Sequence, residues 1–261
     1  MSLAQFSLEG RVALITGGNS GLGRAIALGF QAAGARVAVT GRDAQKNAAI
    51  AQELNDSDAI YSLDVRDEAA VERTVAQVAA RFGQLDILVN NAGTVHVDIA
   101  VNHRREDWDA VIETNLTGAF LCAKHSARAM ITAGNGGKII NIGSVNAVFG
   151  PPDFASYAAS KAGLRGLTHA LAVELAPHNI QVNNLESGYF MTDMSSGLPD
   201  WLYEMIVRKT PAGRFGQPDE LVGAAIFLAS SASNYVTGTE LRVDGGYTIA
   251  DRQTYPVGGV S

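Results

Sequence analysis

The amino-acid sequence predicts an α/β fold: a doubly wound, seven-stranded parallel sheet of the Rossmann type, with helices on both faces. Short apolar runs alternate with longer helical patterns from the beginning of the chain. The runs are almost continuously apolar, as in parallel strands that are buried on both sides. Right-handed crossovers between such strands give the doubly wound arrangement. The 261 residues, 47% apolar and 18% charged, suit a single domain, residues 1–261, with a full core.

The predicted elements follow one another in a regular order. The strands are short and apolar, and they cover residues 11–17, 35–41, 59–65, 85–93, 137–144, 180–186 and 240–246. The predicted helices cover residues 21–34, 43–54, a segment after Asp67, 106–133, 154–176 and a short stretch at 201–209. Asp43 is a suitable N-cap for the second of these helices. The irregular region 189–216 follows the sixth strand at the carboxyl edge of the sheet, so we predict that it is a substrate lid.

Composition and charge exclude several classes of function. The net charge is −6 and no basic stripe is visible, which argues against nucleic-acid binding. The first residues lack the basic start of a signal peptide and no long apolar span follows, so we expect a soluble, cytoplasmic protein. Cys122 is the single cysteine, which rules out an intramolecular disulfide. The five histidines show no ligand spacing, so we expect no metal site.

A glycine-rich segment directly follows the first strand. Residues 16–23 read TGGNSGLG and open the first predicted helix. Glycines there let backbone N–H groups approach a pyrophosphate, and the helix N-terminus favours an anion. The segment therefore predicts a bound dinucleotide, contacted by Gly17, Asn19, Ser20, Gly21, Leu22 and Gly23.

The end of the second strand indicates which dinucleotide is bound. An acidic residue there would bind a free ribose 2′-hydroxyl, whereas an arginine would pair with a 2′-phosphate. Gly41 is not acidic and Arg42 follows it directly, so we predict a preference for NADP(H). In the alternative, which leaves NAD(H) possible, Arg42 is solvated and Asp43 reads the ribose. The following strand ends supply the remaining predicted contacts, which are Asp64 and Val65 at the adenine and Asn91, Ala92 and Gly93 at the ribose.

A serine, a tyrosine and a lysine form the predicted chemical centre. Ser144 ends the fifth strand, and Tyr157 and Lys161 follow within the sequence YAASK. Residues four apart lie on one face of a helix, so the phenol and the ammonium can act together. A free tyrosine has a pKa of about 10. A nearby cation favours the phenolate, which suits general acid–base chemistry near neutral pH.

These motifs together resemble the short-chain dehydrogenase/reductase family, collinearly from about residue 8 to residue 247. They are TGGNSGLG, NNAG at 90–93, Asn115 within ETNLTG, Ser144 and YAASK. The resemblance implies that Tyr157 donates or accepts the proton, and that Lys161 holds the nicotinamide ribose and lowers the tyrosine pKa. It also implies that Ser144 orients the substrate oxygen and that Asn115 positions a water in a proton relay behind Lys161.

The resemblance has further implications for the second half of the chain. Gly188 and Thr192 correspond to a glycine turn and to a threonine that contacts the nicotinamide carboxamide. Family members are commonly tetramers paired through the two long helices, so we expect a homotetramer. The tail at residues 251–261 then lies across a neighbouring subunit or is loose. Segments 178–184 and 209–238 are similar to the gluconate 5-dehydrogenase and 2-deoxygluconate 3-dehydrogenase group, although parts also occur among 3-oxoacyl reductases.

Side chains near the predicted nicotinamide site are candidates for substrate contact. They are His96, Asn146, Phe149, Phe154, Glu186, Tyr189, Met191, Trp201 and Tyr203. Glu186 ends the sixth strand, followed by Ser187, where the family has a small or apolar residue and then proline. The carboxyl ends of parallel strands face the ligand crevice, so Glu186 would stand beside the substrate and disfavour an anion. Alternatively, Glu186 turns away and pairs with a nearby base.

The predicted function is interconversion of a secondary alcohol and a ketone by an NADP(H)-dependent oxidoreductase. The predicted substrate is a small, neutral polyol, sugar or ketone. Three alternatives are an aldonate dehydrogenase of the gluconate type, a 3-oxoacyl reductase, and a catalytically silent cofactor-binding sensor. The complete set of predicted catalytic residues favours an enzyme over the sensor.

Overall fold

The computed structural model describes residues 3–54, 59–193 and 195–250. It contains one parallel sheet with the strand order β3-β2-β1-β4-β5-β6-β7. The strands are β1 (Val12–Thr16), β2 (Arg36–Gly41), β3 (Ile60–Ser62), β4 (Ile87–Asn90), β5 (Gly137–Ser144), β6 (Ile180–Ser187) and β7 (Glu240–Val243). The order reverses between β1 and β4, which makes that edge the switch point where ligands bind in such sheets. The predicted fold class is confirmed.

Eight α-helices of the described residues cover the two faces of the sheet. They are α1 (Gly21–Ala32), α2 (Ala44–Glu53), α3 (Glu68–Phe82), α4 (Arg105–Ile112), α5 (Gly118–Ala133), α6 (Ala155–Leu175), α7 (Asp200–Lys209) and α8 (Asp219–Ala229). Side chains of α1, α2 and α8 form the core on one face. Side chains of α3, α5 and α6 form the core on the other face. The central strands are therefore covered by apolar side chains above and below, as their composition predicts.

The long helix predicted at 106–133 is interrupted. A π-helical turn, Glu113–Thr117, separates α4 from α5. Asn115 lies in this turn with only 1% of its surface exposed, and its side chain bonds to the loop after β4 rather than to its own helix. Such turns concentrate at functional sites. The helical spacing of apolar residues continues through the turn, so the sequence pattern does not reveal it.

The seventh strand is shorter than predicted, because a turn begins at Asp244. The Asp244 carboxylate accepts hydrogen bonds from the backbone N–H groups of Gly246 and Thr248. Gly245 and Gly246 have positive φ angles of 61° and 85°, which is the region that glycine tolerates best. This turn brings the following residue, Tyr247, back into a buried position with 4% exposure.

The predicted roles of the tail, residues 251–261, lie outside the described residues. In the part of the chain that the structure describes, none of the helices combines the length and apolar character needed to cross a bilayer.

Candidate active site

A cavity of about 540 Å³ opens at the carboxyl edge of the sheet, over the switch point between β1 and β4. Cofactor and ligand sites commonly have volumes of this order. The loops after β1, β2, β3, β4, β5 and β6 all contribute to its lining. The sequence-predicted residues among the lining are Gly17, Asn19, Ser20, Gly21, Leu22, Arg42, Asp64, Val65, Asn91, Ala92, Gly93, Ser144, Asn146, Phe154, Tyr157, Lys161, Gly188, Tyr189 and Thr192.

The glycine loop after β1 leaves the N-terminus of α1 open towards this cavity. Ser20 is the N-cap residue in an extended conformation, and its side chain makes no capping hydrogen bond. The first backbone N–H groups of α1 are therefore available to an anion, which fits the pyrophosphate of a dinucleotide. A Cβ on Gly21 would lie 3.7 Å from the Thr192 methyl group. The loop after β6 thus faces the same anion position.

Asn91 holds the glycine loop in place. Its side-chain amide donates to the backbone oxygens of Thr16 and Gly17, at 3.0 and 2.9 Å. Gly23 does not line the cavity. A Cβ on Gly23 would lie 2.3 Å from the Asn91 amide nitrogen, so glycine is needed there to admit that side chain. Gly23 thus packs against the Asn91 side chain behind the glycine loop and does not form the predicted cofactor contact from the cavity lining.

The end of β2 forms the adenosine end of the cavity. A Cβ on Gly41 would lie 2.0 Å from the Asn19 amide nitrogen, so a side chain there would have to displace the Asn19 side chain. The Asp43 carboxylate accepts hydrogen bonds from the backbone N–H groups of Gln45 and Lys46 and caps α2. Asp43 is therefore engaged by its own helix. Arg42, whose side chain is 61% exposed, and Asp43 both line the cavity.

Charged side chains are abundant at this end. Asp64 pairs with Arg66 at 2.6 Å, and this hydrogen-bonded pairing lowers the pKa of the Asp64 carboxyl group. Arg42 approaches the same carboxylate less closely, at 3.8 Å, so its guanidinium retains donors for another anion. Lys46 on α2 pairs with Asp193, after β6, at 3.0 Å. That exposed pair bridges the two sides of the cavity.

Ser144, Tyr157 and Lys161 meet at the opposite end. Ser144 is the last residue of β5, and its hydroxyl hydrogen-bonds the Tyr157 phenol. The Lys161 ammonium lies 5.7 Å from the centre of the Tyr157 ring. It donates to the backbone oxygen of Ile142 at 2.8 Å, which fixes its direction. The spacing of four residues on α6 thus places both functional groups at the end of β5, as the sequence predicts.

Burial controls the protonation of this centre. Removal from water disfavours charge, so burial raises the pKa of Tyr157, whereas its hydrogen bond with Ser144 acts in the opposite direction. The same desolvation lowers the pKa of Lys161 to about 8. The prediction that the tyrosine pKa is lowered is therefore not met in the protein alone. A neutral phenol is a competent proton donor, and its deprotonation requires the nearby ammonium to keep its charge.

Asn115 lies behind this centre and does not line the cavity. Its side-chain oxygen accepts from the backbone N–H of Thr94 at 2.8 Å, and its amide donates to the Thr94 oxygen at 2.9 Å. The amide also donates to the Ser160 hydroxyl on α6, at 3.1 Å. Asn115 therefore ties the loop after β4 to the helix that carries Tyr157 and Lys161.

The wall beside the chemical centre is largely apolar and uncharged. Its apolar members are Val95, Val97, Val145, Phe154 and Leu198. Its polar members include Asn146 and Tyr189. The side-chain oxygen of Asn146 is buried and has no hydrogen-bond partner in the protein. Among the described lining residues, Lys161 is the charged group near the chemistry, and the others gather at the adenosine end.

Several predicted substrate residues lie elsewhere. The His96 ring points away from the cavity to Asp107, with its Nε2 3.7 Å from the carboxylate, while the flanking Val95 and Val97 face inwards. Trp201 is 67% exposed on α7. Neither side chain lines the cavity, because successive side chains of an extended loop alternate and because α7 turns this face outward. The remaining candidates outside the lining are Phe149, Met191 and Tyr203.

Glu186 also faces away from the cavity. Its side chain is fully buried, and its two oxygens pair with Arg165 at 3.2 Å and Arg242 at 3.0 Å. The predicted substrate contact at Glu186 is therefore wrong, and the alternative of pairing with a base is the observed one. Alternation along β6 explains this result, because Ser187 lines the cavity and its neighbour must point to the other face. Glu186 therefore gives no reason to exclude an anionic substrate.

Comparisons with known proteins identify the family. The sequence matches the family described as Enoyl-(Acyl carrier protein) reductase over residues 17–248. It is 40% identical over 256 residues to a gluconate 5-dehydrogenase from Gluconobacter oxydans, covering 94% of this chain and 97% of that protein. It is 41% identical over 246 residues to a 3-oxoacyl-(acyl-carrier-protein) reductase from Thermotoga maritima, covering 93% and 99% respectively. The chain belongs to the short-chain dehydrogenase/reductase family.

A solved structure extends this short-chain dehydrogenase/reductase likeness to three dimensions. The crystal structure of a gluconate 5-dehydrogenase from Burkholderia cenocepacia, in complex with NADP and tartrate, matches with a TM-score of 0.90 at 42% identity. The match covers 96% of this chain and 100% of that one. The protein is therefore an oxidoreductase of this family, which confirms the predicted enzyme class.

Some residues around the site of this short-chain dehydrogenase/reductase were not found from the sequence. Tyr247 and Lys209 support Tyr189 from behind, and Arg165 and Arg242 hold Glu186. Each lies far in sequence from the residue it supports, so no local motif marks it. For Arg165 a local signal existed, because it lies four residues after Lys161 on α6 and therefore shares a helix face with it.

Proposed function

We propose that this protein is an NADP(H)-dependent oxidoreductase that interconverts a secondary alcohol and a ketone on a small, neutral, hydroxyl-bearing molecule. The observation that carries the proposal is the meeting of Ser144, Tyr157 and Lys161 at one end of a cavity whose other end presents Arg42. The first end suits proton transfer to a carbonyl oxygen, and the second suits a phosphorylated ribose.

The proton chemistry follows from the positions of these side chains. When bound, the nicotinamide supplies the hydride in reduction and accepts it in oxidation. The Tyr157 phenol gives its proton to the carbonyl oxygen in reduction and takes it back in oxidation. Ser144, hydrogen-bonded to that phenol, orients the same oxygen. The Lys161 ammonium stabilises the phenolate that results, because opposite charges in a dry site attract strongly.

The relay behind Lys161 is part of the proposal. Asn115 bonds to both backbone atoms of Thr94 and to Ser160, so the π-helical turn is anchored beside α6. We propose that this anchored turn holds a water that returns the proton to Lys161 and Tyr157. The rigidity of the turn favours this role, because a relay needs its members at fixed distances.

Three features support NADP(H) over NAD(H). Arg42 lines the cavity and approaches Asp64 only to 3.8 Å, Asp43 caps α2, and the residue at the end of β2 is Gly41 rather than an acid. Planar guanidinium groups bind phosphates especially well. The similar gluconate 5-dehydrogenase from Burkholderia cenocepacia was crystallised with NADP, which is consistent with this preference.

The substrate end supports a neutral molecule with hydroxyl groups. Apart from Lys161, the described residues that line it carry no charge, and the unpartnered Asn146 oxygen calls for a hydrogen-bond donor. A hydroxyl group can donate to this oxygen, whether it belongs to a neutral polyol or to an aldonate. An aldonate is the second candidate, since the similar protein from Gluconobacter oxydans is a gluconate 5-dehydrogenase. Because the buried Glu186 faces away from the cavity, its charge does not disfavour an anionic aldonate.

A substrate panel tests the proposal. The protein would be mixed with NADPH or NADP⁺ and with ketones, hydroxyketones, sugars, polyols, aldonates and a 3-oxoacyl thioester, while nicotinamide absorbance is followed. We expect turnover of neutral hydroxylated compounds, with NADP(H) preferred over NAD(H). Turnover restricted to aldonates or to acyl thioesters would refute the substrate class, and turnover of nothing with either cofactor would support a silent sensor.

Two structural roles are also proposed. We propose that segment 189–216 acts as a lid, because Tyr189 and Leu198 within it line the cavity. Exposed apolar side chains on α5 and α6, including Phe120 and Val173, suit the pairing of subunits into a homotetramer.

A further inference from the structure

We infer that Tyr189 determines substrate specificity by hydrogen-bonding a hydroxyl group on the carbon beside the reacting carbon, and that Tyr247 is the positioning residue that holds it there. This inference rests on the proposed function and specifies one substrate group, the neighbouring hydroxyl, that the site would bind. The expected substrates are hydroxyketones and the vicinal diols into which they are reduced.

Tyr189 stands beside the chemical centre without belonging to it. It follows β6 by two residues and lines the same cavity as Ser144 and Tyr157. Both phenols line the same cavity, and Tyr157 is among the groups that raise the pKa of Tyr189. A hydroxyl next to the reacting carbon is inferred to lie at Tyr189 when the reacting oxygen lies at Ser144 and Tyr157.

Aromatic contacts fix the ring of Tyr189. Its centre lies 5.7 Å from that of Phe215 and 5.0 Å from that of Tyr247, the latter in an edge-to-face arrangement. Such pairs are directional, so two of them define the orientation of a ring better than apolar burial alone. The phenol is held at the cavity surface by these neighbours rather than by the substrate.

The phenols of Tyr189 and Tyr247 are neighbours, with their ring centres 5.0 Å apart. Burial is the main cause that raises the pKa of Tyr189, and Tyr247 acts in the same direction, so the phenol stays neutral and keeps its proton. A neutral hydroxyl both donates and accepts. Tyr189 therefore offers either capacity to a substrate hydroxyl in the cavity.

Tyr247 is itself anchored. It is 4% exposed, and its ring lies 5.4 Å from that of Phe149. The Lys209 ammonium at the end of α7 lies 4.1 Å from the Tyr247 ring centre and 4.5 Å from the Phe149 ring centre. Cations over aromatic faces are stabilising when partly shielded from water. The support of Tyr189 thus continues into the helix of the proposed lid.

Asn146 gives an independent reason to expect a substrate hydroxyl. Its buried side-chain oxygen lacks a partner, although buried polar atoms are nearly always hydrogen-bonded. Its backbone N–H donates to the Ser144 hydroxyl at 3.2 Å, so the residue adjoins the reacting position. A hydroxylated substrate would satisfy this oxygen, whereas a simple ketone would leave it unpaired.

The test compares two ketones that differ by one hydroxyl, 2-hydroxycyclohexanone and cyclohexanone, each reduced with NADPH. The wild-type kcat/KM should favour the hydroxyketone by about 10-fold or more. Tyr189→Phe should lower kcat/KM for the hydroxyketone by about 10-fold and leave that for cyclohexanone within about twofold. Equal losses on both ketones, or an unchanged preference in the variant, would overturn the inference.

The role of Tyr247 is tested by a double-mutant cycle. Tyr247→Phe should lower the preference by about three- to tenfold, and the double variant should match Tyr189→Phe alone within about twofold, because Tyr247 acts through Tyr189. Additive losses would contradict positioning. Tyr203→Phe is the matched control, since Tyr203 stacks on Phe215 at 4.6 Å outside the cavity lining, and it should not alter the preference.

The two proposals fail differently. Absence of turnover on the whole substrate panel would contradict the oxidoreductase proposal itself. Turnover that is indifferent to the neighbouring hydroxyl in the wild type would contradict only the roles of Tyr189 and Tyr247.

Discussion

The two ends of the cavity differ in how far their charged groups are exposed to water. At the adenosine end, the Arg42 side chain is 61% exposed and the Lys46–Asp193 pair is solvated. At the chemical end, Lys161 is 5% exposed and its pKa is lowered to about 8 by desolvation. Charge is weak and salt-sensitive where water screens it, but strong where water is excluded. Substitutions at the chemical end should therefore have the larger effects.

Tyr157→Phe should give the largest effect. The variant keeps the aromatic ring but loses the proton that moves, so kcat should fall by about 100- to 10,000-fold. The Kd for NADPH should stay within about threefold, because the adenosine end is untouched. Steady-state absorbance and cofactor fluorescence measure the two quantities. Tyr235→Phe, at a fully exposed position, is the control. Retained turnover in the Tyr157 variant would contradict its role in proton transfer and the expectation that the chemical end of the cavity is the more sensitive one.

Glu186→Ala should give the next largest effect, on stability rather than on catalysis. It leaves Arg165 and Arg242 without their buried partner, at a cost of about 2–4 kcal/mol in the free energy of unfolding. The lower part of that range allows for hydration of the arginines, whose side chains are about 30% exposed. KM for the substrate should not change.

Denaturant unfolding measures this loss, and Glu53→Ala, which breaks an exposed pair with Arg24, should cost less than about 1 kcal/mol. A changed KM with unchanged stability would show instead that Glu186 reaches the cavity in solution.

Arg42→Ala should give a smaller and salt-dependent effect. Loss of the guanidinium should lower kcat/KM for NADPH by about 10- to 100-fold and change that for NADH by less than about threefold. The difference should shrink as ionic strength rises, since the group is exposed. Arg42→Lys keeps the charge but loses the planar guanidinium, so its kcat/KM for NADPH should lie between the values for the wild type and Arg42→Ala. Equal losses with both cofactors would contradict 2′-phosphate recognition.

The smallest effect concerns pH and stability. An unfolded lysine has a pKa of about 10.4, whereas the pKa of Lys161 in the folded protein is lowered to about 8. Between these values the unfolded chain binds more protons at this lysine, so the contribution of Lys161 to the stability of the cofactor-free protein should rise with pH from about 8 to about 10. Lys138, whose pKa burial also lowers to about 8, contributes in the same direction.

Thermal unfolding at several pH values measures this rise. Lys161→Met should make it shallower, whereas the same change at the exposed Lys124 should not. A rise of the same steepness in Lys161→Met would show that the ammonium is better hydrated than its surroundings indicate.

Local patterns predict much of this protein, and long-range pairings account for what they miss. Alternating apolar runs predict the sheet, and the spacing of Tyr157 and Lys161 on α6 predicts their meeting with Ser144. The direction of Glu186 depends on Arg165 and Arg242, which belong to other elements. The π-helical turn at Asn115 depends on the backbone of Thr94, so helical periodicity alone cannot reveal it.

The tight packing at Gly41 constrains how the cofactor preference could change. An acidic residue at the end of β2 would need the space that the Asn19 side chain occupies, 2.0 Å from where its Cβ would stand. Asn19 is in turn bonded to Asn47, which bonds to the Gly41 oxygen. A shift towards NAD(H) by this route therefore has to displace the Asn19 side chain and disturb its hydrogen bond to Asn47. The identity of residue 41 is thus coupled to two side chains that belong to other parts of the chain.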